Sequence, residues 1–265
     1  MIYITSPSNP TIKEIKSLYR KKERWSKNSF IIEGIKMVEE CVDNNYPLSH
    51  IVYCDELFNI RGADQIWEKI KTHDRLIKIS NKLYREISQL ENPQGILAVA
   101  KFRLNSIDEI LNKSNPFILL LDRLQDPGNM GTIIRTADAF SIDGIIISEG
   151  SVDVYNPKVV RSTMGSIFRM PLYFTRDLEK MIEELKDRHI KVYSTSLKGN
   201  KYIQDVNFRQ PSALIIGNES RGVSKDLEKL ADQLIKIPMS GEAESLNAAI
   251  ASSIIMYEAL RQRRQ

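Results

Sequence analysis

The feature that most constrains the fold is a regular alternation of apolar runs and helical segments along the second half of the chain. The run FILLLD, residues 117–122, is apolar throughout, as strands are when both faces of a parallel sheet are covered. Further apolar runs are GIIIS, IKVYSTS and SALIIG, and amphipathic segments such as DLEKMIEELKDRH lie between them. Strands that alternate with helices predict an α/β fold with a mostly parallel sheet and helices on both faces.

The first half reads as a smaller α/β unit, residues 1–104. Asn9-Pro10 predicts a helix start, since Asn caps well and Pro suits the first turn. The strands SFIIEG, SHIVYC, LIKIS and GILAVAKF follow, with helical stretches between them. Residues 105–116 are polar and end in Asn-Pro, which predicts a linker. The second domain is therefore predicted to span residues 117–265.

Composition excludes several classes of protein. No apolar run approaches the roughly 18 residues of a membrane helix, and the start, MIYITSPSNPTIKEIK, lacks the apolar core of a secretory signal. We therefore expect a cytoplasmic protein without a membrane partner. The two cysteines, Cys41 and Cys54, form no CxxC pair, and the chain has only 3 histidines. No metal site is predicted.

The net charge of +4 is unevenly distributed. Residues 1–104 contain 17 Lys and Arg against 13 Asp and Glu, whereas residues 105–265 contain 21 of each. Much of the excess lies in KEIKSLYRKKERWSK, where Lys21, Lys22 and Arg24 are candidate contacts for RNA phosphates and Tyr19 and Trp25 could stack on bases. A helix face that is merely solvated is the alternative interpretation.

The loops after the predicted strands are candidate ligand sites, because ligands of such sheets bind at the carboxyl ends of the strands. None contains G-x-G-x-x-G. Gly217 and Gly222 have the spacing of a phosphate-binding loop, but Val223 follows where Lys would be required, and Glu219 would repel a phosphate chain. A ligand with an adenine ring and a positive centre, such as S-adenosylmethionine, suits these loops better. The alternative is that the glycines only serve tight turns.

Three blocks of the second half resemble the SpoU (TrmH) family of RNA ribose 2′-O-methyltransferases, in the SPOUT superfamily. They are LDRLQDPGNMGTIIRTADAF, LIIGNESRGVS and IPMSGEAESLNAAIASSIIMYE. The first half, with SPSNPTIKEIKSL and FIIEGIKMVEE, is similar to the substrate-binding domain that often precedes this catalytic domain. The resemblance implies a C-terminal trefoil knot, which the strand and helix pattern alone does not predict.

The resemblance also implies how the cofactor is held. Gly217, Ile237 and Leu246 match positions that contact S-adenosylmethionine, largely through backbone groups around the adenosine. Met239 is expected to line the same wall, and Thr195, at the end of an earlier strand, is added to the set. Ile237 and Leu246 also fit an ordinary role in the core.

Four further positions match the catalytic centre of the family. Asn129 and Arg135 are implied to lie at the centre itself, and Glu219 and Asn247 to order the loops and the substrate. An arginine is a poor proton acceptor, because its pKa exceeds about 12. We therefore expect Arg135 to hold the RNA phosphate and polarise the 2′-hydroxyl, while phosphate or water accepts the proton.

The resemblance implies RNA as substrate and a homodimer as assembly. The long terminal helix ESLNAAIASSIIMYEALRQRR is expected to pair with that of a second subunit. Large-subunit ribosomal RNA is the favoured target and transfer RNA the second candidate. A non-catalytic protein of RNA binding or ribosome assembly is one alternative, and methylation of a base or of a protein is another.

Overall fold

The computed structural model describes residues 2–264 of the chain. Its strands are β1 (Ile2–Ile4), β2 (Ser29–Glu33), β3 (Leu48–Tyr53), β4 (Leu76–Ile79), β5 (Ile96–Lys101), β6 (Phe117–Leu121), β7 (Gly144–Ser148), β8 (Leu172–Thr175), β9 (Lys191–Thr195), β10 (Lys201–Tyr202), β11 (Ser212–Ile216) and β12 (Gln233–Lys236). Its helices are α1 (Pro10–Ser17), α2 (Lys21–Lys27), α3 (Ile35–Asp43), α4 (Ala63–Ile70), α5 (Asn81–Ile87), α6 (Ile107–Leu111), α7 (Pro127–Ala139), α8 (Pro157–Ser162), α9 (Leu178–Asp187), α10 (Lys225–Leu230) and α11 (Ala248–Arg263).

The chain divides into two compact units. The first consists of the residues up to Arg103 together with Asp153–Phe168. The second consists of Leu104–Val152 and the chain from Arg169 onward. The predicted domain boundaries, 1–104 and 117–265, remain predictions. Residues 1 and 265 lie outside the part of the chain that the structure describes.

The first unit contains a five-stranded mixed sheet in the order β1-β4-β3-β5-β2. Strands β1, β4 and β3 run parallel, and β5 pairs antiparallel with both β3 and β2. The helix start at Asn9 is confirmed, because the side chain of Asn9 accepts a hydrogen bond from the amide of Thr11. Strand β1 was not predicted; two of its three residues, Ile2 and Tyr3, are exposed, so no buried apolar run marks it.

The second unit contains a seven-stranded parallel sheet in the order β10-β12-β9-β11-β6-β7-β8. The apolar strand β6 is buried throughout and lies between β11 and β7. This confirms the predicted mostly parallel α/β sheet. The two-residue strand β10, which has no apolar run of its own, was not predicted. The trefoil knot stays a prediction.

The segment predicted as a linker contains helix α6. Ser106 and Glu109 cap this helix reciprocally, an arrangement that satisfies two amide donors at once. Ile110 and Leu111 are buried in the core of the second unit. A side chain at Gly144 would begin only 2.6 Å from Ile110, so α6 is packed closely on the start of β7.

Helices α7 and α11 pack against each other in the second unit, where the hydroxyl of Ser253 lies 3.3 Å from that of Thr136. Helix α11 has 16 residues and is the C-terminal helix of the described chain. In the part of the chain that the structure describes, no helix has both the length and the apolar character that crossing a membrane requires.

Candidate functional site

Three of the predicted cofactor residues lie along one edge of the second sheet. Thr195 ends β9, Gly217 directly follows β11, and Ile237 directly follows β12. These strands are neighbours in the sheet and run parallel, so their carboxyl ends meet at the same edge, where parallel sheets bind ligands. The hydroxyl of Thr195 donates to the carbonyl of Ile215, 3.1 Å away, which ties β9 to β11 at this edge.

The loop after β11 depends on glycine for its shape. Asn218 and Gly222 exchange two backbone hydrogen bonds, of 3.1 and 2.8 Å, and so close a tight loop. A side chain at Gly217 would overlap the backbone of Gly222 and Val223. Gly222 itself has a φ of +68°, which side chains disfavour. The glycines therefore let the two arms of the loop approach closely, and Glu219 lies at the tip between them.

The loop after β12 carries the other two predicted cofactor residues, Met239 and Leu246. Met239 is 40% exposed and Leu246 half-buried. Within the described chain, the backbone of residues 239–246 donates and accepts no hydrogen bond. An adenosine needs apolar surface on its ring faces and backbone donors and acceptors at its edges. This loop, beside the strand edge, has both, so these residues fit S-adenosylmethionine.

A chain of side-chain hydrogen bonds joins the three sequence blocks. The amide nitrogen of Asn247 donates to Oδ1 of Asn129 at 2.9 Å, and the amide nitrogen of Asn129 donates to Oε1 of Glu219 at 3.0 Å. Asn247 also caps α11, because its Oδ1 accepts from the amides of Ala249 and Ile250. The structure thus brings together three of the four predicted catalytic residues, from the first turn of α7, the loop after β11 and the N-cap of α11. We call Asn247, Asn129 and Glu219 the amide relay.

Glu219 is held as an anion by several donors. Besides Asn129, the backbone amides of Asp126 and Gln125 donate to its carboxylate at 2.9 and 3.1 Å. Partial burial raises the pKa of the Glu219 carboxyl, but the hydrogen bond from Asn129 and those from the two backbone amides outweigh it and lower the pKa. Glu219 is therefore a fixed acceptor rather than a proton donor at neutral pH.

Arg135 lies on α7 outside the amide relay. Its side chain is exposed, and among the described residues it makes neither a hydrogen bond nor an ion pair. Six positions separate it from Asn129, which at 100° a residue places the two on different faces of a helix. The guanidinium is thus open to a ligand, and the role predicted for Arg135 stays a prediction.

A cleft opens beside the amide relay in the second unit. Its volume is about 740 Å³, within the range of sites that hold a small ligand. Most of its lining residues have polar side chains, and they come from the loops after β6, β7 and β11 and the start of α7: Arg123, Gln125, Asp126, Pro127, Gly150, Asn218, Glu219, Ser220 and Arg221. Sequence reasoning missed Arg123 and Arg221. Both are basic residues inside the quoted blocks, in loops at the carboxyl ends of strands, and that placement was the available signal.

The predicted RNA contacts on α2 divide into two kinds. Lys21 and Lys22 are exposed. The prediction for Arg24 is wrong, because its side chain is 2% exposed and its guanidinium donates to the carboxylate of Asp153 at 2.6 and 2.9 Å. Charge alone suggested a surface residue, but the sequence does not show the buried acid, 129 positions away, that pairs with it.

Comparison with known proteins now decides the family. The model of the SpoU rRNA Methylase family matches residues 116–257, and that of the MRM3-like substrate binding domain matches residues 9–98. The chain belongs to the SpoU rRNA methylase family. The predicted family is thereby confirmed, and so is the resemblance of the first half to a substrate-binding domain.

Several SpoU relatives match nearly the whole chain. The 23S rRNA (guanosine(2553)-2′-O)-methyltransferase RlmP of Bacillus subtilis strain 168 is 36% identical over 97% of this chain and 98% of its own length. The 23S rRNA (uridine(2479)-2′-O)-methyltransferase of Streptomyces viridochromogenes is 32% identical, over 93% and 87%. The S-adenosylmethionine-bound rRNA methyltransferase of Sinorhizobium meliloti has a TM-score of 0.84 at 32% identity, covering 98% of this chain and 97% of that one.

Membership confirms the predicted enzyme class and cofactor. This SpoU protein is an RNA methyltransferase, and S-adenosylmethionine is its methyl donor. The strand edge and the loop of residues 239–246 are the part of the chain that fits this cofactor. Asn247 of the amide relay directly follows this loop in the sequence.

Proposed function

We propose that this protein transfers the methyl group of S-adenosylmethionine to the 2′-oxygen of a ribose in large-subunit ribosomal RNA, in the cytoplasm. The observation that carries the proposal is the amide relay, which fixes polar side chains from three separate segments of the chain next to the exposed loop of residues 239–246. The names of two relatives specify 2′-O-methylation of 23S rRNA. They support the ribose 2′-oxygen as the methylated atom and large-subunit rRNA as the substrate.

The proposed cofactor site is built from the residues at the strand edge and from the loop after β12. Thr195, Gly217 and Ile237 would bound the adenosine, with Met239 and Leu246 on the loop that covers it. Bound there, S-adenosylmethionine supplies an electrophilic methyl carbon next to a positive sulfur. The protein must then exclude competing water and align the attacking oxygen with that carbon.

The remaining residues act on the RNA. The fork of Arg135 would hold a phosphate next to the target ribose and donate toward the 2′-oxygen, which stabilises negative charge as the oxygen attacks. Asn129 would set the position of this ribose, because Glu219 and Asn247 fix both ends of its amide group. The proton passes to phosphate or water, since Arg135 keeps its own.

We also propose that the working assembly is a homodimer formed through α11. Ile250 and Tyr257 are 53% and 55% exposed, seven positions apart on one face of the helix, while Ile255 and Met256 are buried on the other. Apolar side chains exposed together on one helix face are typical of a protein–protein interface. Light scattering at micromolar concentration should give about twice 30.4 kDa. A fully active monomer would refute this assembly.

Nucleoside analysis tests the reaction. The protein is incubated with isotopically labelled S-adenosylmethionine and either ribosomal or transfer RNA, and the RNA is then digested for mass spectrometry. We expect label on the ribose of a nucleoside from 23S rRNA. Label on a base, or transfer only to tRNA, would contradict the proposal. Cofactor binding by calorimetry without any transfer would favour a non-catalytic role in RNA binding.

A further inference from the structure

Arg123 is a rigid cation on the wall of the cleft. Its Nε donates to Oδ1 of Asp122 at 2.8 Å and its Nη2 to Oδ2 at 3.2 Å. The carboxylate of Asp122 is buried and also accepts from the amide of Ser224 at 2.9 Å. The Arg123 side chain nevertheless remains 47% exposed. One side of its guanidinium is thus anchored to the protein, and the other is open to the cleft.

Arg221 is a second cation of the cleft lining, on the loop after β11. Its backbone amide donates to Oδ1 of Asn218 at 3.1 Å, and the side-chain amide of Asn218 donates to the carbonyl of Arg123 at 3.0 Å. Asn218 therefore ties the two arginine-bearing loops together. The Arg221 side chain is exposed and has no ion-pair partner among the described residues.

The two carboxylates in the cleft lining are already engaged by donors of the protein. Asp126 accepts from the amide of Asn129 at 2.8 Å as the cap of α7, and Glu219 accepts the three hydrogen bonds given above. The cations are less fully engaged: Arg123 pairs with Asp122 on one side only, and the Arg221 side chain has no ion-pair partner within residues 2–264. The N-terminus of α7, a 13-residue helix, adds partial positive charge at Pro127. The cleft therefore offers open positive charge and satisfied negative charge.

We propose that Arg123 and Arg221 grip phosphate groups of the RNA strand next to the target ribose, and so position that ribose against the amide relay. This rests on the proposed function. A guanidinium binds a phosphate through two parallel donors, which fixes orientation as well as distance. The cleft volume of about 740 Å³ suits a nucleotide with its flanking phosphates. Such contacts set register without reading base identity.

Substitution at the loop tip gives the main test. Arg221→Ala should raise the KM for RNA about tenfold, the loss of one charge-assisted contact at an exposed site, and lower the salt slope of RNA binding by about one. The Kd for S-adenosylmethionine should not change. Arg221→Lys should restore the salt slope but only part of the KM, because it keeps the charge and loses the fork.

Two further variants make the test specific. Arg176→Ala is the matched control, since Arg176 is another exposed arginine of the second unit outside the cleft lining. Arg123→Lys keeps a cation beside Asp122 and should raise the KM by a smaller factor. If Arg221→Ala matches Arg176→Ala in KM and salt slope while the wild type methylates RNA, this inference is wrong and the proposed function stands. If the wild type transfers no methyl group to RNA, the proposed function fails, and RNA titration of the same variants still decides the role of the arginines.

Discussion

Replacing Asn129 with Asp changes one contact of the amide relay and leaves the other in place. Oδ1 still accepts from Asn247, but the donor 3.0 Å from Oε1 of Glu219 becomes a second carboxylate oxygen. Two like charges at that distance repel by about 1.4 kcal/mol at the dielectric constant of water and about 5.5 kcal/mol at the effective value near a protein surface. One of the two carboxyls therefore keeps its proton to a higher pH than it would alone.

Methyl transfer by Asn129→Asp should consequently recover as the pH is lowered. When one carboxyl is protonated, it donates to the other and restores the lost hydrogen bond; when both are ionised, the relay opens. A misplacement of about 1 Å at a reacting centre costs on the order of 100-fold. We therefore expect methyl transfer by Asn129→Asp to fall about 100-fold at pH 9 and to recover part of the loss as the pH falls to 6.

The assay is the ratio of variant to wild-type kcat/KM across this pH range, because the ratio cancels the ionisation of the RNA. The wild-type relay does not titrate in the window. Hydrogen bonds place the pKa of Glu219 below its ordinary value of 4.5, so its stabilising contribution is present above that value and lost only as pH falls through the lowered pKa. Asn129→Ala, which has no carboxyl, should show a flat ratio. An equally flat ratio for Asn129→Asp would refute the reasoning.

Three other perturbations have defined outcomes. Asp153→Ala leaves a buried guanidinium unpaired and should lower the free energy of unfolding by about 3–5 kcal/mol, measured by urea denaturation; a change below about 1 kcal/mol would contradict the burial. Gly217→Ala forces the loop after β11 open, because a side chain there would overlap the backbone of Gly222 and Val223, and it should abolish detectable cofactor binding by calorimetry; an unchanged Kd would contradict this reading of the loop. Neutralising Lys21 and Lys22 together should weaken RNA binding and lower its salt slope by about two. An unchanged slope would show that these lysines form a solvated face and do not contact RNA.

The sequence predicted what depends on local pattern. Apolar runs such as residues 117–121 marked the buried strands, and the order of strands and helices predicted the parallel sheet. Gly217 was singled out as a cofactor residue, which stays a prediction; the close approach of Gly222 that requires glycine there is visible only in the folded loop. Strand β1 was missed because pairing with β4, not burial, defines it.

Contacts between distant segments could not be predicted from pattern. Arg24 looked like a surface cation because its partner Asp153 lies in a segment that the sequence assigned to the second domain. The amide relay depends on how the first turn of α7, the loop after β11 and the N-cap of α11 meet in the folded chain, which spacing does not encode. Asn129 and Arg135 were grouped by family resemblance, yet only Asn129 belongs to the relay, because the helix turns them to different faces.

The most direct test of the central claim is a map of 2′-O-methyl groups in cellular RNA with and without the gene. We predict that one ribose methylation of large-subunit rRNA is lost, that the wild-type gene restores it, and that Arg135→Ala does not, although this variant still binds S-adenosylmethionine. An unchanged map, or loss of a base methylation instead, would contradict the account. Full restoration by Arg135→Ala would contradict the role given to Arg135.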